Sequence, residues 1–81
     1  MYNYQDLKPQ VFLEENQKDF LKVRDTVKVL PTTFLMSDAT RFVYGSSWLQ
    51  MAYVDRLVEL GEIYELSYEN VVGQYRIFKH Y

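Results

Sequence analysis

The stretch "SSWLQMAYVDRLVELGEI", Ser46 to Ile63, decides the fold. A serine pair at its start supplies side-chain oxygens that can cap a helix, and Gly61 stands where a left-handed residue ends one. Between them Leu49, Tyr53, Val54, Leu57, Val58 and Leu60 form a wide apolar face at helical spacing. The spacing predicts a helix from about Trp48 to Leu60. It leaves Gln50, Asp55 and Glu59 outward, together with Trp48 and Ala52.

Upstream, "TTFLMSDATRFVYG" divides at Ser37. Thr33 to Met36 is short, apolar and β-prone; Ser37 is a good cap for a turn or two from Asp38 through Val43, and Gly45 permits a tight turn before the next helix. Farther back, Phe20, Val23, Val27 and Leu30 repeat at helical spacing behind a potential cap, Asn16, and Pro31 limits that helix to about Leu30. Residues 1–15 show no helical period. Pro9 biases Lys8 toward extended backbone, which predicts an arm or short strand through about Leu13, docked by Tyr2, Tyr4, Val11, Phe12 and Leu13 on the domain or on a second copy.

Downstream, "EIYELSYENVVGQYRIFKHY" alternates like strands. A four-residue loop over Asn70 to Gly73 pairs Tyr68 with Tyr75, Leu66 with Ile77 and Tyr64 with Lys79, placing these apolar pairs inward and Glu65, Ser67, Arg76 and Phe78 outward. A one-residue slip would set Leu66 against Arg76.

At 81 residues, with 48% hydrophobic side chains, the chain has room for one folded domain with a single shallow core. The absence of cysteine excludes a disulfide scaffold and thiolate chemistry. No apolar run approaches the length of a membrane span and no leader pattern is present, so a cytoplasmic protein is the plain expectation. Nine basic against eleven acidic residues argue mildly against a polyanionic partner.

Helix, short strand, short helix, glycine turn, longer helix and terminal hairpin together resemble a winged helix-turn-helix domain. The local match runs over "FLMSDATRFVYGSSWLQMAYVDRLVELGEI", Phe34 to Ile63, and the element order agrees from Asn16 to Tyr81. The expectation is therefore an α+β winged helix of three helices, a short strand and a C-terminal hairpin wing over residues 16–81. The resemblance implies a small DNA-binding regulator whose third helix enters the major groove. Ser46, Ser47, Trp48 and Gln50 would face the groove, Arg76 the backbone beside the wing, and Lys22 and Arg41 the phosphates flanking the docked helix. Each has a duller alternative: the serines cap, Trp48 packs on the arm, Gln50 and the cations are solvated.

The charges fit that role poorly. The expected wing tip, Glu69 to Gly73, has no cation, and Arg56 on the third helix is flanked by Asp55 and Glu59. A carboxylate about 6 Å from a phosphate costs roughly 0.7 kcal/mol even in water. A second expectation is thus a winged-helix interaction module, an adaptor or inhibitor, meeting a protein through Asp55, Glu59, Tyr68, Phe78 and Tyr81. So short a chain also fits a phage or mobile-element gene, and a homodimer through the arm or first helix suits the DNA reading. No enzyme is expected. The one histidine, His80, stands next to the end, no phosphate loop or HExxH pattern appears, and the carboxylate pairs Glu14–Glu15 and Asp55–Glu59 lack apolar shielding. Neither a metal nor a cofactor is implied.

Overall fold

The computed structural model describes residues 1–68 and 71–81. The chain is α+β: four helices pack on one side of a three-stranded antiparallel sheet. In order these are α1 (Tyr4–Val11), α2 (Glu14–Val29), β1 (Thr33–Leu35), α3 (Met36–Ala39), α4 (Ser47–Glu59), β2 (Ile63–Glu65), a 3₁₀ turn (Gly73–Tyr75) and β3 (Ile77–His80). The strand order is β1-β3-β2, so the last strand lies between the other two.

The element expected third is α4, and its ends form as its residues dictate. The Ser46 hydroxyl accepts from the Leu49 N–H at 3.4 Å. At the other end the Glu62 N–H donates to the Leu57 carbonyl and the Gly61 N–H to the Val58 carbonyl, with Gly61 at φ +77°. That reciprocal pair satisfies carbonyls that a helix end otherwise leaves open, and the positive φ suits a residue without a Cβ. Met51, Ala52, Tyr53, Val54 and Leu57 are buried against Val23 and Val27 of α2, Phe34, Ile63 and Phe78.

Residues 4–11 are helical, not extended. Asn3 caps α1, its Oδ1 accepting from the Gln5 N–H at 2.9 Å. Tyr4, Leu7 and Val11 stand three and four residues apart, and burial of Leu7 and Val11 in the core outweighs the local bias that Pro9 imposes on Lys8. Asn16 does not cap α2, which starts two residues earlier. Its amide instead donates to the Gln10 carbonyl and that of Gln17 to the Val11 carbonyl, closing the end of α1. In α3, Ser37 is replaced as the capping side chain by Asp38, whose carboxylate accepts from the Leu35 N–H at 3.1 Å.

The register of the terminal strands is the expected one, with Tyr64 opposite Lys79, but the faces are inverted. Phe78 is 0% exposed and stacks on Phe34 with ring centroids 6.0 Å apart. The inner face therefore carries Phe34, Ile63 and Phe78, followed by Glu65 and Arg76; Leu66 is exposed. The ladder also ends early. After the Leu66 N–H donates to the Ile77 carbonyl, the Ser67 hydroxyl takes the Ile77 N–H at 2.6 Å, and Tyr75 turns into the 3₁₀ segment instead of pairing with Tyr68. The expected tip residues Glu69 and Asn70 lie outside the described residues.

Candidate functional site: the two ends of helix α4

Asp55 and Glu59 face outward from the core, and α1 lies across them, leaving Asp55 largely covered and Glu59 partly open to water. The Tyr2 hydroxyl donates to Asp55 Oδ2 at 2.5 Å, and the Tyr4 hydroxyl to Glu59 Oε1 at 2.8 Å. Glu59 also accepts from Lys8 Nζ at 2.6 Å and Arg56 Nη1 at 2.7 Å. These donors, Lys8 first, then Tyr4 and Arg56, hold the Glu59 carboxyl down at about 2. Burial and the bond to Glu59 in turn push the Tyr4 phenol up to about 12. The Tyr2 phenol is raised as well, by burial and by Asp55.

Arg76 clamps the same helix from the sheet side. Its guanidinium meets Asp55 at 2.8 and 3.1 Å and Glu65 at 2.8 and 3.0 Å, two-pronged contacts whose planar geometry suits arginine. The side chains of Arg76 and Asp55 are each only 13% exposed. Burial alone would lower the Arg76 pKa; the bonds to Glu65 and Asp55 more than offset that and raise it. Arg76 also holds Glu65 below the ordinary carboxylate range. Four of its five N–H donors are thus committed within the domain, so the side chain expected at a phosphate is a structural clamp.

The start of α4 is open. Ser46 and Ser47 are exposed, and Trp48 is 44% exposed, its ring edge against Tyr2 at 6.5 Å between centroids. Val43 is buried and holds the preceding loop on the core, so its neighbours Phe42 and Tyr44 project outward, Tyr44 at 86% exposure. Arg41 is exposed with its guanidinium over the Phe42 ring at 5.6 Å. Gln50 is turned inward, its amide donating to the Val43 carbonyl at 3.1 Å, which braces the loop.

Beside this turn lies an open groove of about 600 Å³, walled by Tyr2, Trp48 and Met51 on one side and by Val71, Val72 and Arg76 on the other. Among the described residues no carboxylate lines it. From Ala39 to Val54 the chain has no acidic residue, and none from Val71 to Tyr81. The structure thus brings Ser46, Ser47, Trp48 and Arg41 to one exposed end. It leaves Lys22 exposed on α2, and places Asp55, Glu59, Gln50 and Arg76 in internal bonds.

Of the aromatics expected at an interface, Tyr68 and Tyr81 are exposed and Phe78 is core. Sequence reasoning missed Phe42, Tyr44 and Val72. For Phe42 and Tyr44 the signal was the alternation of buried Val43 between two aromatics, hidden by the expectation that the preceding helix runs to Val43. Among the described residues no three His, Cys, Asp or Glu side chains converge as metal ligands, and no helix is long and apolar enough to cross a membrane. Comparison with family models, with curated proteins and with solved structures gives no match for this chain.

Proposed function

We propose that the chain is a winged-helix-like interaction module that binds a partner protein at the open end of α4, seating an apolar side chain of the partner in the groove beside Trp48. The element order from α2 onward and the β1-β3-β2 sheet support the winged-helix relationship. The observation that carries the function is the contrast in exposure. Large aromatic side chains, Trp48 on the wall of a mainly apolar groove and Tyr44 on the loop before α4, stand in water, a composition typical of the anchors that dominate protein interfaces. The long face of α4 that would enter a DNA groove is instead occupied by α1.

A DNA-binding regulator remains the second reading, and its specific support is the exposed first turn of α4, with Ser46 and Ser47 close in sequence to Arg41. One paired experiment separates the two. Fluorescence anisotropy against mixed-sequence duplex DNA at low and high salt is run beside photo-crosslinking from position 44 in cells, with a position-25 probe as control. The expected outcome is no salt-sensitive DNA binding and one discrete crosslinked protein from position 44, lost in the Trp48→Ala variant and kept in Lys22→Ala. DNA affinity that collapses as salt rises, and that Lys22→Ala and Arg41→Ala both weaken, would establish the second reading instead.

A further inference from the structure

The sheet has a second face, turned away from the helices, which the groove does not include. Antiparallel pairing puts Thr33, Lys79 and Tyr64 in one lateral row and Leu35, Ile77 and Leu66 in the next, all on this outer side. Tyr81 extends the first row, its ring 4.9 Å from that of Tyr64, and is itself 82% exposed. Leu35, Tyr64 and Ile77 are half-buried and Leu66 is exposed. The face is therefore apolar, with one charge near its middle. Lys79 lies on the central strand β3, and among the described residues it forms no ion pair and no Asp or Glu side chain shares its side of the sheet, because Glu65 points inward to Arg76.

We infer that this outer face is a docking surface for an amphipathic segment of a partner protein in which apolar side chains surround a single carboxylate, the carboxylate meeting Lys79. Charge complementarity selects that occupant. A second copy of this chain packed face to face about a two-fold axis would bring the two Lys79 ammonium groups, both on central strands, toward each other across an apolar contact, where like charges repel strongly. An anionic lipid surface fits no better, since one lysine supplies only about 1 kcal/mol of attraction to it. An apolar segment with one carboxylate covers the leucine and isoleucine row and pairs the lone cation. The surface is independent of the groove at α4, so the domain has two docking faces and the chemistry of a bridge between two chains.

The test uses the whole chain, labelled for amide NMR, and two short designed amphipathic helical peptides that differ only in a central Glu or Lys amid leucines. The Glu peptide is expected to shift the amides of Leu35, Tyr64 and Ile77 and to bind about tenfold more tightly than its Lys counterpart, a preference of the size a partly exposed ion pair supports. Lys79→Glu, a substitution on the solvent side that leaves the core intact, is expected to reverse the order. Four outcomes would overturn the inference: equal affinities for the two peptides, an order that Lys79→Glu leaves unchanged, shifts confined to residues 42–48, or no binding by either peptide at about 1 mM. Concentration-dependent self-association that moves the same three amides without peptide would assign the face to a second copy and overturn it too. Because the readout names residues on the sheet, its failure is distinct from failure of the groove at Trp48.

Discussion

The two ends of α4 have been treated differently by the same fold. At its C-terminal half every polar group that faces away from the core has found a partner: Asp55 has Tyr2 and Arg76, and Glu59 has Tyr4, Lys8 and Arg56. At its N-terminal turn and in the loop before it, Trp48, Phe42 and Tyr44, aromatic side chains that could have been packed away, are left in water. A surface that costs nothing to solvate has been covered, and one that gains by being covered has been left bare. The difference separates what holds the domain together from what is available to another molecule.

The comparison can be broken most severely at Arg76. Arg76→Ala leaves Asp55 and Glu65 facing each other without their shared cation, and removing one member of such a buried pair is expected to cost about 3 kcal/mol, measured as a lower midpoint in urea unfolding. Were Arg76 a phosphate contact instead, stability would barely change. Next comes Leu7→Ala, which empties the buried anchor of α1; a loss of about 2.5 kcal/mol is expected, with faster amide exchange along residues 4–11 than along α4.

Acid is expected to act more gently on the covered end. Glu59 titrates at about 2 in the fold against 4.5 as its ordinary value, and Glu65 is lowered too, so the unfolded chain binds more protons than the native one between those limits. The stability these carboxylates supply is complete above pH 4.5 and is lost as pH falls toward 2. Glu59→Gln should flatten part of that slope in an acid titration followed by circular dichroism, leaving the part that belongs to Glu65. Smallest of all is the effect of Tyr44→Ala, expected to change stability by no more than about 0.5 kcal/mol while abolishing partner capture. A large loss of stability there would mean that the bare end is structural after all.

Much of the fold was legible because its signals are local. Ser46 and Gly61 mark the ends of α4, Pro31 follows the end of α2, and the pairing of Tyr64 with Lys79 follows from the alternation along the two strands, although the Tyr68–Tyr75 pair expected at its end does not form. What was hidden depends on distant partners. Arg76 looked outward because a cation beside a tyrosine normally is, yet the inner face tolerates it once Asp55 and Glu65 arrive from two other elements. With Arg76 admitted inward, Phe78 follows it by the period of the strand, and the face assignment flips as a unit. Likewise Pro9 spoke against α1 locally, while the interval from Leu7 to Val11, which spoke for it, gains its energy only when α4 supplies a surface to bury against. The open end of α4 was half legible: Ser46, Ser47, Trp48 and Arg41 were singled out for a groove of DNA, and the aromatic neighbours that change the chemistry of that end were not.

The position of Trp48 has an optical consequence. It is the only tryptophan in the chain, and its indole sits where the Tyr2 ring, the first turn of α4 and the open groove meet. Detachment of α1 would strip Tyr2 from the ring and let water in, moving the emission to the red; an apolar side chain entering the groove would dry the indole and move it to the blue. The molecule thus carries a built-in fluorophore whose colour distinguishes loosening from loading, with no label attached.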